Sequence, residues 1–163
     1  MWRHRGQREP TLTPDPSAGA DPGDSPATLR RSLAELVRFV LRSSGQLPGE
    51  AVVATRRLTD TLAEIVDTSD VRTLDVYAAM TVRNTVEDYL PTTLRAYLAL
   101  DPELRNTPRP SGRTPNESLL EQLDALQTAA SFVLVAARNQ DLDALMAQGS
   151  FLRTKFSGSD LDL

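Results

Sequence analysis

The sequence predicts an all-α fold, an elongated antiparallel bundle of about four helices with a proline-kinked third helix and a long last helix. Three observations lead there. Apolar residues recur three and four positions apart through four separate stretches, the spacing that gives a helix one apolar face. Pro and Gly gather between those stretches rather than within them, with Pro91 as the exception. Hydrophobic residues make up 40% of 163 positions and aromatics only 5%, which suits one modest helical domain and leaves no room for a second core.

The elements follow in order. Residues 1–24 hold Pro10, Pro14, Pro16 and Pro22 among small polar residues without periodicity, so they are expected to be a disordered tail. Trp2, Arg3, His4, Arg5 and Arg8 form a small basic and aromatic cluster at its start. The helical domain is expected over 25–157. Ser25 followed by Pro26 is an N-cap with proline at the first helical position. Leu29, Leu33, Leu36, Val37, Val40 and Leu41 then form an apolar arc, with Arg31, Arg38 and Arg42 on the opposite side. Gly45 ends this helix near Ser43 or Ser44. Pro48 begins the next, striped by Leu58, Leu62, Ile65 and Val66 and wetted by Arg56, Arg57, Asp60 and Glu64. The short link makes the two antiparallel neighbours.

Thr68, Ser69 and Asp70 are expected to cap the third helix, which runs toward Leu100. Its stripe passes from Leu74, Ala78, Val82, Thr85 and Tyr89 to Leu90, Leu94, Tyr97 and Leu98. Pro91 interrupts it, removing the donor that would reach the Glu87 carbonyl and pressing its ring on that carbonyl, at about 3 kcal/mol or more in a regular helix. A continuous bent helix keeps the apolar phase; a break after Leu90, with Pro91 opening a new helix, is the alternative.

Asp101 and Pro102 mark a boundary. Pro108, Pro110, Gly112 and Pro115 then give a mobile loop over 105–116. Pro115 or Asn116 opens the last helix, with Leu119, Leu123, Leu126, Ala130, Val133 and Ala137 on its stripe. The pattern resumes one position out of phase at Leu142, Leu145, Gly149, Leu152 and Phe156, past Asn139, Gln140 and Asp141. An unbroken helix from Glu117 to Phe156 would be about 60 Å long, so its end should project or fold back near Asp141. Residues 158–163 read as a polar tail. The positions expected in the core are Leu33, Leu36, Val40, Leu62, Val82, Tyr97, Leu123, Leu126 and Val133.

The chemistry is narrowed by what is scarce. A net charge of −4 and a pI near 5.0 argue against nucleic-acid binding, which needs concentrated Lys and Arg. There is no Cys for a thiolate nucleophile or zinc site, and the single histidine, His4, stands in the tail, away from any folded nucleophile. Lys155 is the only lysine, no phosphate-binding glycine loop occurs, and Glu-x-x-His pairs for a di-iron site are missing. No catalytic residue, metal ligand or cofactor site is therefore expected. Tyr89, Pro91, Thr92, Thr93 and Tyr97 form the one signature-like patch, where either Pro91 only shapes the bundle or the five residues make a partner-binding notch at the kink. No apolar run approaches the roughly 20 residues of a membrane span, and the polar start lacks a signal-peptide core. The chain is expected to be soluble and cytoplasmic, with peripheral association at the inner face of the membrane through Arg31, Arg38 and Arg42 as the alternative.

The stretch Tyr89, Leu90, Pro91, Thr92, Thr93, Leu94, followed by Tyr97, resembles the central motif of the bacterial bromo-chloroindolyl phosphate hydrolysis (XpaC) family. Asp141, Leu142, Asp143, Ala144 and Leu145, with Leu152 and Gly158 beyond, are similar to that family's ending. The resemblance covers about half of the chain, from Val71 to Gly158. Family members often carry apolar N-terminal segments that this sequence lacks, and their usual aromatic before the tyrosine is Asp88 here. The resemblance implies a helical protein often encoded beside toxic-anion-resistance (TelA) proteins. It points to a noncatalytic interaction or scaffold role in envelope stress or toxic-anion resistance, with a helical, TelA-like partner. The family name suggests phosphohydrolysis, for which the sequence supplies no residues. Oligomeric state is left open.

Overall fold

A computed structural model describes residues 22–139, 146 and 149–154. Among these the regular structure is helical: α1 (Pro26–Ser43), α2 (Gly49–Asp67), α3 (Val76–Asn84), α4 (Leu90–Leu98) and α5 (Pro115–Asn139), with a π turn (Thr85–Tyr89) joining α3 to α4. The bundle expected from the sequence is the bundle observed, with α3, the π turn and α4 forming its third rod.

Local chemistry starts and stops each element. Ser25 caps α1, its Oγ accepting from the Thr28 N–H at 3.2 Å, with Pro26 at the first helical position. Helix α2 begins one residue after Pro48. The third rod is capped by Asp75, whose carboxylate accepts from the Tyr77 N–H at 2.9 Å, and not by the expected Thr68, Ser69 and Asp70. Those residues form a 3-10 turn that closes the previous helix: Thr68 Oγ1 donates back to the Ile65 carbonyl, and the Thr68 carbonyl accepts from Val71 and Arg72. Helix α5 opens with a reciprocal capping box. Glu117 N–H donates to Thr114 Oγ1 at 3.1 Å and Thr114 N–H to Glu117 Oε2 at 2.9 Å, with Pro115 between them.

Successive rods alternate in direction, and cross-links fix which are neighbours. Arg30 near the start of α1 pairs with Asp67 and Asp70 at the end of α2, so α1 and α2 are antiparallel. Thr61 meets Gln127 and Glu64 meets Arg138, so α2 and α5 run parallel. Thr93 meets Gln122 and Tyr97 meets Asn116, so α4 and α5 are antiparallel. Asp24 with Arg83 and Ser32 with Glu87 set α1 parallel to the third rod. The link from Thr68 to Asp75 therefore crosses one end of the bundle. Pro22–Asp24, expected as the end of the tail, form a short 3-10 turn held by the Asp24 ion pair. Residues 1–21 and 155–163, with most of both expected tails, lie outside the described residues.

Leu29, Leu58, Leu62, Ile65, Leu90, Leu94, Leu119 and Leu123 are wholly buried, and every core position expected from the sequence is buried too. Val37 and Leu41, on the expected α1 arc, are not: Leu41 is 61% exposed, because the α2 and third-rod contacts cover only the narrower strip through Leu33, Leu36 and Val40. Three buried threonines return their hydroxyls to their own helix, Thr59 to the Arg56 carbonyl, Thr61 to that of Arg57 and Thr85 to that of Thr81. By length and composition α5 is apolar enough to cross a membrane, which the sequence reading did not anticipate; in the fold its stripe is buried in the bundle.

The last helix does not project. Leu152 is buried and lines a small hollow with Tyr77, Met80 and Asn84, while a side chain at Gly149 would sit 3.8 Å from the Tyr77 ring. A straight continuation would carry residue 152 about 20 Å past Asn139, whereas Gly149 and Leu152 pack beside α3. Gln140 and Asp141, where the phase slip falls, are outside the described residues.

Leu126→Ala should lower stability by about 2 to 5 kcal/mol, since it opens a cavity in the layer between the rods. Denaturant midpoints of the two proteins measure this, and an unmoved midpoint contradicts the burial of that face.

Candidate functional site

Residues four apart line the third rod's buried face: Ala78, Val82, Val86, Leu90 and Leu94. At about 100° per residue, the sixteen steps from Ala78 to Leu94 overshoot whole turns by roughly 160°, and such a stripe winds off one face of a straight α-helix. A π turn absorbs one residue and takes back about 100° of that drift. Leu90 N–H accordingly donates to the Thr85 carbonyl, five residues back. The next residue is Pro91. The ladder thus changes register at the position with no donor to contribute. The helix is continuous through the proline, with right-handed helical backbone angles at Asn84, Thr85, Tyr89 and Leu90.

The five residues of the expected notch part company around this rod. Thr93 is buried and its Oγ1 reaches Gln122 Oε1 at 3.2 Å. Tyr97 is buried, and its hydroxyl donates to Asn116 Oδ1. Both face α5 and are spent on the bundle, so neither is presented to a partner. Tyr89 is half-buried and lines the hollow beside Leu152. Thr92 is exposed and bonds Asp88 at 3.2 Å. Pro91 is buried as well, but alone of the five it lines the niche toward α1.

That niche, of about 430 Å³, lies between α1 and the third rod. Ser32 Oγ donates to Glu87 Oε1 at 2.9 Å at one end. The Arg95 guanidinium stacks over the Phe39 ring at 5.3 Å toward the other. Leu36 and Pro91 form apolar wall between these cross-contacts with Val86 just before them, and Glu35 and Arg42 stand on the α1 rim. Of these residues the sequence pointed to Pro91 and Arg42. Glu35, Phe39, Glu87 and Arg95 were hidden because nothing in the chain states which faces of two rods meet. Arg31 and Arg38 are exposed on α1.

A second constellation is structural. Arg105 sets its guanidinium over the Tyr97 ring at 4.8 Å and donates to the carbonyls of Leu98, Leu100 and Gln46, closing the end of α4 and tying it to the α1–α2 link. Asn116 N–H donates to the Arg105 carbonyl and its amide group to Asn106. Both ends of the expected mobile loop are thus fastened. Its exposed middle closes a turn through the Gly112 N–H to the Arg109 carbonyl, with Gly112 at φ 84°. Burial raises the Tyr97 phenol above its ordinary value of 10.0, with Arg105 opposing part of the rise. Among the described residues, no group of three or more His, Asp or Glu side chains is placed to hold a metal ion.

Because Tyr97 is held protonated in the folded state, its contribution is complete below about pH 10 and is lost as pH climbs through the raised value. Alkaline melts should show this fall, and Tyr97→Phe should flatten it while costing about 1 kcal/mol at neutral pH for the lost hydrogen bond. An identical alkaline slope in the variant contradicts the assignment. Deleting exposed Asp88 should turn the π turn into an α turn without re-facing the downstream stripe. Pro91 would then sit in a regular ladder at a cost of about 3 kcal/mol, which adding Pro91→Ala should largely restore; equal losses in both deletion proteins contradict the coupling.

No family model, curated protein or solved structure matches the chain.

Proposed function

We propose that the protein is a noncatalytic helical interaction module whose partner docks along α1 and the third rod at the Pro91 niche. The supporting observation is the niche itself: an open recess between two parallel rods that brings two acidic and two basic side chains around apolar wall. Protein interfaces commonly place an apolar centre inside a polar rim, and Leu36 and Pro91 within Glu35, Arg42, Glu87 and Arg95 follow that plan. The resemblance to the XpaC family supports a TelA-like helical protein as the partner and toxic-anion resistance or envelope stress as the setting. The partner surface of this reading is the α1 side of Pro91, with Thr92 at its edge, and no longer includes Thr93 or Tyr97.

A second reading, attachment to an anionic membrane surface, is favoured by one observation. Arg31, Arg38 and Arg42 are exposed along α1, and no ion pair engages them among the described residues. Glu35 lies on the same side and weakens their field.

A photo-crosslinking residue at position 35, compared in native cells with one at exposed Thr128 on α5, separates the readings. The interaction reading expects one protein adduct from position 35 and none from 128. Equal labelling from both positions, or lipid adducts from 35 with flotation on anionic liposomes, overturns it.

A further inference from the structure

We propose that the niche reads a bipolar helical segment, one presenting a basic side chain and, two turns further on, an acidic one, with an apolar residue between. The proposal rests on the interaction reading above and names the partner's chemistry.

Four charged residues surround the recess, and they are sorted by sign. Because α1 and the third rod are parallel, the Ser32–Glu87 and Phe39–Arg95 contacts fix which residues lie level across it. Glu87 is level with Ser32 and Glu35 lies about one turn further along, while Arg95 is level with Phe39 and Arg42 lies about one turn beyond it, so the two acids stand toward one end and the two arginines toward the other. Among the described residues no ion pair engages any of the four. Each end therefore holds two like charges staggered by about one turn and without an opposite partner, an arrangement relieved by an opposite charge entering from outside.

The spacing selects the ligand. Glu35 and Arg42 are seven residues apart on α1, about 10.5 Å along the axis, and Glu87 and Arg95 are separated by about 12 Å on the third rod. Two side chains seven apart on a docking helix share a face and are also about 10.5 Å apart. Pro91 and Leu36 meet the residue between them, and a volume of about 430 Å³ admits its side chain but not the helix backbone. The docked helix lies over the opening with its flanking charges reaching the two ends.

The test uses the full chain and two synthetic helical peptides of identical composition. One carries Lys and Glu seven residues apart beside a central Leu; the other carries the same residues on opposite faces. Backbone amide shifts should move at Glu35, Phe39, Glu87 and Arg95 with the first peptide, which should bind at least fivefold more tightly than the second. Glu35→Arg combined with Arg42→Glu places opposite charges across each end. It should abolish that preference while the melting temperature holds or rises, since both side chains are exposed. Equal binding of the two peptides, shifts confined to another face, or a preference unchanged in the double variant overturns the proposal. So does a free amino acid zwitterion that binds as tightly as the first peptide. A protein adduct at position 35 together with peptides that bind alike would leave the interaction reading standing and remove this one.

Discussion

One constraint shapes the molecule: the third rod must keep a single apolar face while its sequence spaces the buried residues four apart and places a proline among them. A straight α-helix fails on both counts, because steps of four drift around its axis and Pro91 has no donor for the ladder. The π turn at Thr85–Tyr89 meets both requirements with one absorbed residue, so that Leu90, Leu94 and Tyr97 face the same core as Ala78 and Val82. The features that follow from it are the seating of α4 on α5 and the shape of the recess toward α1.

At the α5 side, Tyr97 and Thr93 are drawn inward and become fastenings, to Asn116 and Gln122. Arg105 closes the end of α4 over the Tyr97 ring and holds the loop that leads to α5. At the α1 side the rod presents Pro91 to the recess. The residue that disturbs the helix thus also lines a surface feature, and the functional reading grows from that coincidence.

Much of this was legible in the sequence. The stripes on α1, α2 and α5 named most of the core because helical periodicity reports burial, with Val37, Leu41 and Ala137 at the edges left short of burial, and Ser25 with Pro26 marked a helix start through a local hydrogen bond. The cap at Thr68 to Asp70 was misplaced because the same residue types close a helix by bonding backward as readily as they open one, and Asp75 carried no stronger local sign. Thr93 was assigned to the notch alone, and Tyr97 to both core and notch, for a different reason. An aromatic and a hydroxyl beside a proline look alike in sequence whether they meet a partner or an internal Asn and Gln. The niche itself was illegible, since it depends on Ser32, Glu35 and Phe39 standing level with Glu87, Pro91 and Arg95, a register set between helices 50 residues and more apart in the chain.

Scalar couplings across hydrogen bonds test the central claim most directly, because they report which carbonyl each amide proton reaches. In isotopically labelled protein the Leu90 amide nitrogen should couple to the Thr85 carbonyl carbon and not to that of Val86. A coupling from Leu90 to Val86 would mean an ordinary α turn runs into Pro91, and the account of the register and of the recess beside it would fall together.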